Sequence, residues 1–415
     1  MSIFRPFNGF RPQKENVNKI ASRPYDVLNS SEARKEVEGN PYSFLHVVKP
    51  EIDLPEGIDL HSQEVYNKAK SNLQKLITDG MFIQDDNAYY YIYAQTMNGK
   101  TQYGLVGCSG VEDYLNNVIK KHELTRPDKE EDRMNHVRVT NVNAEPVFFT
   151  YRDNAKIDAI VSEVVKSEPE YDFTTEDGFG HHFWVIKDEE QIANIKSTFN
   201  NEVQYQYVAD GHHRTAAAAL VGQERKKNNA NHTGKEEYNF FLSVNFPASQ
   251  LTIIDYNRVV KDLNGLSDKD FIEKLSKSFT VKEKGTEEYK PCCLHNYSMY
   301  IGGKWYSLTA NKNTYKESDP VGVLDVTILT NEVLEPLLDI KDLRRSERIE
   351  FIGGIRGLGE LKTRVDNGEM KVAFALYPVT MDQLMDIADN NLIMPPKVTW
   401  FEPKLRSGLV FHDLE

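Results

Sequence analysis

Tyr205–Ala219 reads YQYVADGHHRTAAAA. A run rich in β-formers ends at Asp210-Gly211, and the alanine-rich stretch beyond it predicts a helix over Thr215–Lys227. A strand, a tight turn and a helix form the corner from which α/β folds are built. Such a corner aims the unpaired N–H groups of the first helical turn, at the positive end of the helix dipole, toward the turn. An anion suits that position. Gly211 lets the backbone approach closely, Arg214 can grip a phosphate with two parallel N–H bonds, and Thr215, His212 and His213 can donate more. Asp210 can orient a histidine or help to hold Mg²⁺. The competing reading makes Asp210 a helix cap and the histidines plain surface residues. Two histidines, an aspartate and an arginine within Asp210–Arg214 weigh against it. A zinc site fits less well, because adjacent histidines point apart and no thiol or acid stands at a usual ligand spacing.

Outward from this corner the chain keeps alternating. Residues 88–95 and 101–109 are strand-like and joined by Met97-Asn-Gly-Lys100, a hairpin signal. Residues 145–151, 181–186 and 203–209 predict further strands, with helices near 30–38, 61–79 and 189–199. Ser30 and Ser31 are candidate caps for the first of these helices. The polar run Gly222–Glu237 reads as a mobile surface loop. Beyond about residue 260 the texture changes. Helices are expected at 267–279, 320–338 and 380–389, and strands near 297–308 and 371–377. The expected class is mixed α/β (α+β), with 1–260 as the phosphate-binding part and 261–415 as a C-terminal α+β domain.

A length of 415 residues suits two or three domains. Lysine and arginine total 50 against 63 aspartates and glutamates, a net charge of −13, so a nucleic-acid partner is not expected. The absence of a long apolar run argues against a membrane span. Three cysteines, Cys108, Cys292 and Cys293, make no disulfide framework, and a cytoplasmic protein is expected.

A second candidate stretch is Ile119–Arg133, IKKHELTRPDKEEDR. His122-Glu123 opens like a zinc-protease pattern, but Arg126 stands where the second histidine belongs. Glu123 can take a proton from a substrate hydroxyl, with His122 beside it, while Arg126, Lys129 and Arg133 hold anionic groups near Thr125. Composition alone equally supports a solvated loop entering a charged helix capped by Asp128. Gly99-Lys-Thr101 imitates a phosphate loop but lacks its first glycine. Gly353–Gly359 reads either as a flexible turn, the favoured reading, or as a phosphate contact, and the tail from Met394 reads as an extended arm whose Lys397, Lys404 and Arg406 can reach an anion.

Six separated motifs resemble the bacterial domain-of-unknown-function-1015 family: RPFNGFRP at Arg5, SRPYDV at Ser22, NPYSFLHV at Asn40, IKKHELTRPDKEEDR at Ile119, ADGHHRTAAA at Ala209 and MPPKVTWFEPKLRSGL at Met394. The DGHHR segment is also similar to the phosphate-gripping motif of the ParB/sulfiredoxin-like superfamily, which includes nucleotide-dependent kinases of free L-serine. That resemblance implies a ParB/sulfiredoxin-like core with N-terminal, inserted and C-terminal additions, the insertion spanning roughly 152–205. It implies Glu123 as the base and Asp210, Gly211, His212, His213 and Arg214 as the phosphate motif. Arg23, Tyr25, Asp26 and Lys404, in the other motifs, join the expected substrate contacts. The implied activity interconverts L-serine and O-phospho-L-serine with Mg²⁺ and ATP or ADP, in either direction. The alternatives are a nucleotide-independent phosphoserine phosphatase and a ParB-like nucleotide-binding regulator.

Overall fold

The computed structural model describes all 415 residues, and the chain divides into two compact units. Met1–Leu251 and Pro403–Glu415 form the first, and Thr252–Glu402 the second. The class is mixed α/β, as expected. No helix is long and apolar enough to cross a membrane.

The first unit is built on a nine-stranded mixed sheet. Its path runs Ile119–Lys120, Gln206–Asp210, Val147–Tyr151, Phe240–Pro247, Lys100–Gly110, Tyr90–Met97, Gly180–Ile186 and Tyr171–Thr174, with Phe4–Arg5 also paired to Lys100–Gly110. Two pairings are parallel, Gln206–Asp210 with Ile119–Lys120 and Phe240–Pro247 with Val147–Tyr151. The Asn-Gly signal is realised: Asn98 and Gly99 both adopt positive φ (52° and 76°), and Met97 pairs with Lys100.

Period-2 alternation decides which strand residues meet the helices. Tyr90, Ile92 and Ala94 pack with Leu105, Trp184 and Ile186 against Ile157, Ile195 and Phe199 of the helices Ala155–Val164 and Glu189–Asn201. Farther along, Val147, Phe149, Val208 and Phe241 receive Ala218 and Ala219 of the helix His212–Asn228. The small alanine side chains let that helix approach closely, and a Cβ on its Gly222 would meet the Tyr238 carbonyl oxygen at 2.4 Å. Residues 403–415 close the unit. Ser407 bridges Ser22, Phe411 bridges Phe10 with rings stacked at 4.8 Å, and His412–Asp413 pairs with Val142–Asn143.

The second unit carries a six-stranded antiparallel sheet in the order Phe279–Gly285, Lys304–Ala310, Asn296–Ile301, Val372–Ala375, Tyr256–Val260, Ile349–Gly353. Val259, Tyr300, Trp305, Ile352, Leu361 and Ala373 form its core. Cys292 and Cys293 are free and exposed. Gly353–Gly359 is a turn from a strand into the helix Gly357–Asp366, with the Trp400 ring 3.2 Å from where a Gly353 Cβ would sit.

Three expectations are corrected. The run Gly222–Glu237 is helical as far as Asn228, since Gln223, Glu224, Arg225, Lys226 and Lys227 are good helix formers and the cations suit a helix C-terminus. The early helix Ser30–Glu36 is capped by Asn29, which forms a reciprocal capping box with Glu32, so Ser30 and Ser31 lie inside it. The stretch 320–338 holds only a short helix, Asp325–Leu329, continued by a π turn over Thr330–Leu334.

Candidate functional site

The strand Gln206–Asp210 ends in a shift of register between Val208 and Asp210. Gly211 follows at φ +89°, ψ 34°, a left-handed conformation that costs L-residues with a side chain. The helix then starts at His212 without any side-chain cap, so its first-turn N–H groups keep no helical partner. The sequence explains both facts: glycine permits the turn, and the Asp210 carboxylate is spent on the Gly211 N–H (2.9 Å) ahead of the helix. Thr215 is fully buried and its hydroxyl turns back to the Gly211 carbonyl at 2.9 Å.

Arg214 folds back over the turn, with Nη1 donating to the Pro146 carbonyl at 2.7 Å. Its Nε is buried without a hydrogen-bond partner. Burial works against its charge, but the carboxylates of Asp26, Glu145 and Asp210 more than reverse this and raise its pKa. Asp210 shows the complementary balance. Burial opposes its ionisation, while Lys404, 2.8 Å from Oδ2, and Arg214 hold its pKa far below the usual carboxylate range. Lys404 is placed by its own backbone, whose carbonyl accepts from Gln95 Nε2 at 2.9 Å.

The Ile119–Arg133 stretch lies against the same corner. Its strand Ile119–Lys120 pairs with Gln206–Tyr207, and the helix Pro127–Thr140 begins at a proline, which forces the preceding Arg126 into extended backbone. Glu123, on the loop between them, keeps a side chain 40% exposed and places Oε2 4.0 Å from Nδ1 of His212. The His122 and His212 rings meet edge to face at 4.5 Å, both buried. Burial lowers the His122 pKa to about 4 and the His212 pKa well below its ordinary value, so both are neutral near pH 7. His213 Nε2 accepts the Arg126 backbone N–H at 3.1 Å.

Tyr25 and Asp26 join from the N-terminal motif. The Tyr25 ring lies under the Arg133 guanidinium at 4.1 Å, and burial raises its hydroxyl pKa to about 12. Arg133 is tied to Asp132 at 2.7 Å, and Asp132 also accepts from Tyr66 at 2.9 Å. Four expected side chains take other partners or face solvent: Arg23 pairs with Glu36, the Thr125 hydroxyl donates to Glu130, the Arg126 guanidinium pairs with Asp128 at 2.7 Å, and Lys129 is exposed. Glu145 is the residue that sequence reasoning missed. It accepts the Tyr25 N–H at 3.2 Å and the Ser407 hydroxyl at 2.8 Å, and burial raises its pKa against the pull of Arg214. Its sequence context, an acid before Pro146 and a buried strand, carries no chemical signal.

The chain matches the family described as "Protein of unknown function (DUF1015)" over residues 4–327. It belongs to that family. None of the curated proteins matches it. Among solved structures, a free serine kinase in complex with AMP is similar at 12% identity and a TM-score of 0.36, covering 74% of this chain and 91% of its own. A free serine kinase described as a mutant, in complex with ADP, gives 13% identity, a TM-score of 0.36 and coverage of 75% and 92%. SbnI from Staphylococcus aureus, truncated at its C-terminus, gives 12% identity, a TM-score of 0.39 and coverage of 73% and 85%.

Proposed function

We propose that this member of the family is a Mg²⁺-dependent phosphotransferase interconverting L-serine and O-phospho-L-serine with ATP or ADP. The observation that carries it is the uncapped helix start at Gly211–His212, with a charged Arg214 folded over it and its buried Nε unpartnered. Phosphoryl transfer asks for positioning and charge neutralisation, with little covalent chemistry from the protein. The helix N–H groups and Arg214 hold phosphate oxygens there. Serine as the acceptor rests on the resemblance of the DGHHR motif.

No group of three or more His, Cys, Asp or Glu side chains could hold a metal ion by itself. Mg²⁺ rarely needs such a cage, since it usually takes one or two carboxylates together with phosphates and waters. The ionised Asp210 at the phosphate turn fits that donor set. When bound, the ion supplies charge neutralisation between phosphate groups. Glu123 takes the proton from the serine hydroxyl as its oxygen bonds to phosphorus and the bond to the leaving nucleotide phosphate breaks. In reverse it returns that proton to the departing serine oxygen. His212, neutral and 4.0 Å away, borders the carboxylate.

Phosphorus NMR of the protein with Mg²⁺ and O-phospho-L-serine tests this in three tubes: with ADP, with AMP, and without nucleotide. Nucleotide-dependent loss of phosphoserine with growth of ATP or ADP supports the proposal. Inorganic phosphate in the tube without nucleotide makes the protein a phosphatase. Three unchanged spectra overturn the serine assignment.

A further inference from the structure

Glu123 sits on the exposed part of its loop: its side chain is 40% exposed and Leu124 is 57% exposed, although His122 just before them is buried. A general base must nevertheless be held to a fraction of an ångström. The loop runs from the strand ending at Lys120 to the helix beginning at Pro127. Proline has no N–H, so the Arg126 amide is the last backbone donor of that loop. It is received by Nε2 of His213, 3.1 Å away on the first turn of the helix His212–Asn228.

We infer that His213 is the positioning residue of the Glu123 loop, clasping the Arg126 N–H through an unprotonated Nε2. This rests on the reading of Glu123 as the base. A ring nitrogen that accepts has a lone pair there, so the neutral imidazole carries its proton on Nδ1; a doubly protonated ring has two donors and cannot make this bond. Burial favours the neutral ring, as does the Arg126 cation, against the opposing carboxylates of Glu130, Asp128 and Asp26. His122 against His212 and Glu123 beside His212 are two further meetings of the same loop with the same helix start. His213 is the one that bonds to the loop backbone, at Arg126, which lies three residues from Glu123 along the chain.

The test reads the clasp separately from the chemistry. Hydrogen exchange of residues 121–130 is followed in the wild type, His213→Ala and His213→Gln; exchange over the remaining chain reports whether each variant is folded. His213→Ala should raise exchange across that segment, and His213→Gln, whose amide oxygen can accept, should restore protection. In turnover, His213→Ala should lower kcat about 10- to 100-fold, the scale of a misplaced catalytic group, with glutamine recovering most of it. A second pair removes the donor: Arg126→Pro should exchange faster over residues 121–125 and turn over about tenfold more slowly than Arg126→Ala, which keeps the N–H. Unchanged exchange in His213→Ala, or equal behaviour of the two Arg126 variants, overturns the inference. Wild-type protein that transfers no phosphoryl group overturns the proposed function, while the exchange data still judge the clasp.

Discussion

Gly211→Ala perturbs the corner in two separable ways. The first is backbone strain. At φ +89° an alanine Cβ crowds the neighbouring carbonyl, at a cost of about 1–2 kcal/mol. At about 2–4 °C per kcal/mol, the first unit should melt several degrees lower. The second is contact. A Cβ built on Gly211 lies 3.1 Å from Arg214 Nη2, 3.2 Å from Nε and 3.3 Å from Cζ, closer than ordinary van der Waals separation. The guanidinium must shift, yet it is held by the Pro146 carbonyl and attracted by Asp26, Glu145 and Asp210. Loss of one charge-assisted bond to phosphate costs about 1.5–3 kcal/mol, hence about 10- to 100-fold in Kd. Calorimetric melting and titration with Mg²⁺ and ADP measure both. Gly211→Asn separates them, because asparagine tolerates the left-handed region while still carrying a Cβ. It should regain much of the melting temperature and little of the affinity. Wild-type affinity in Gly211→Ala, or recovery of affinity in Gly211→Asn, would refute the placement of phosphate against Arg214.

Further outcomes follow from the same geometry. Glu123→Gln should lower kcat by at least about 10²-fold while leaving the nucleotide Kd nearly unchanged; near-normal turnover removes Glu123 from the role of base. Lys404→Met deletes a 2.8 Å partner of Asp210. Both side chains keep some solvent contact, so the loss at pH 7 should be about 1–2 kcal/mol by chemical denaturation. Asp210 is shifted down in the fold, so its contribution is present above its unfolded pKa and fades as pH falls through the folded one. Wild type and variant should therefore converge in strong acid, and a constant gap across pH refutes the pairing. His122 and His136 are buried and shifted down to about 4. Between about pH 6.5 and 4 the unfolded chain binds protons that the fold refuses, so stability falls across that window by up to about 1.4 kcal/mol per pH unit for each histidine. His136→Gln, which can keep the bond to the Val47 carbonyl, should flatten that slope, and an identical slope refutes the assignment.

Much of the fold was legible because it follows from local rules. The Asn98-Gly99 hairpin needs two positive φ angles that these residues tolerate, and it formed. The corner at Asp210–Arg214 was readable because glycine, helix formers and β-formers stand in the order the backbone requires. The polar run after Gly222 misled because charge density resembles a loop, whereas helix propensity and the packing of Val221 and Gly222 carried the helix on to Asn228. Arg23 and Lys129 shared motifs with site residues, but motif membership does not set the direction of a side chain: Arg23 found Glu36, and Lys129 faces outward.

By itself, then, the sequence determined the mixed class, the strand–turn–helix corner and the residue types that collect there, since backbone preference and hydrophobic period act over a few residues. Tertiary structure decided the company those residues keep. It set Lys404 on Asp210 across 194 positions of chain, Glu145 between the Tyr25 N–H and the Ser407 hydroxyl, and the Glu123 carboxylate 4.0 Å from His212. Those meetings depend on sheet order and on the return of residues 403–415 to the first unit, and a charge carries no local mark of the partner that the topology will bring to it.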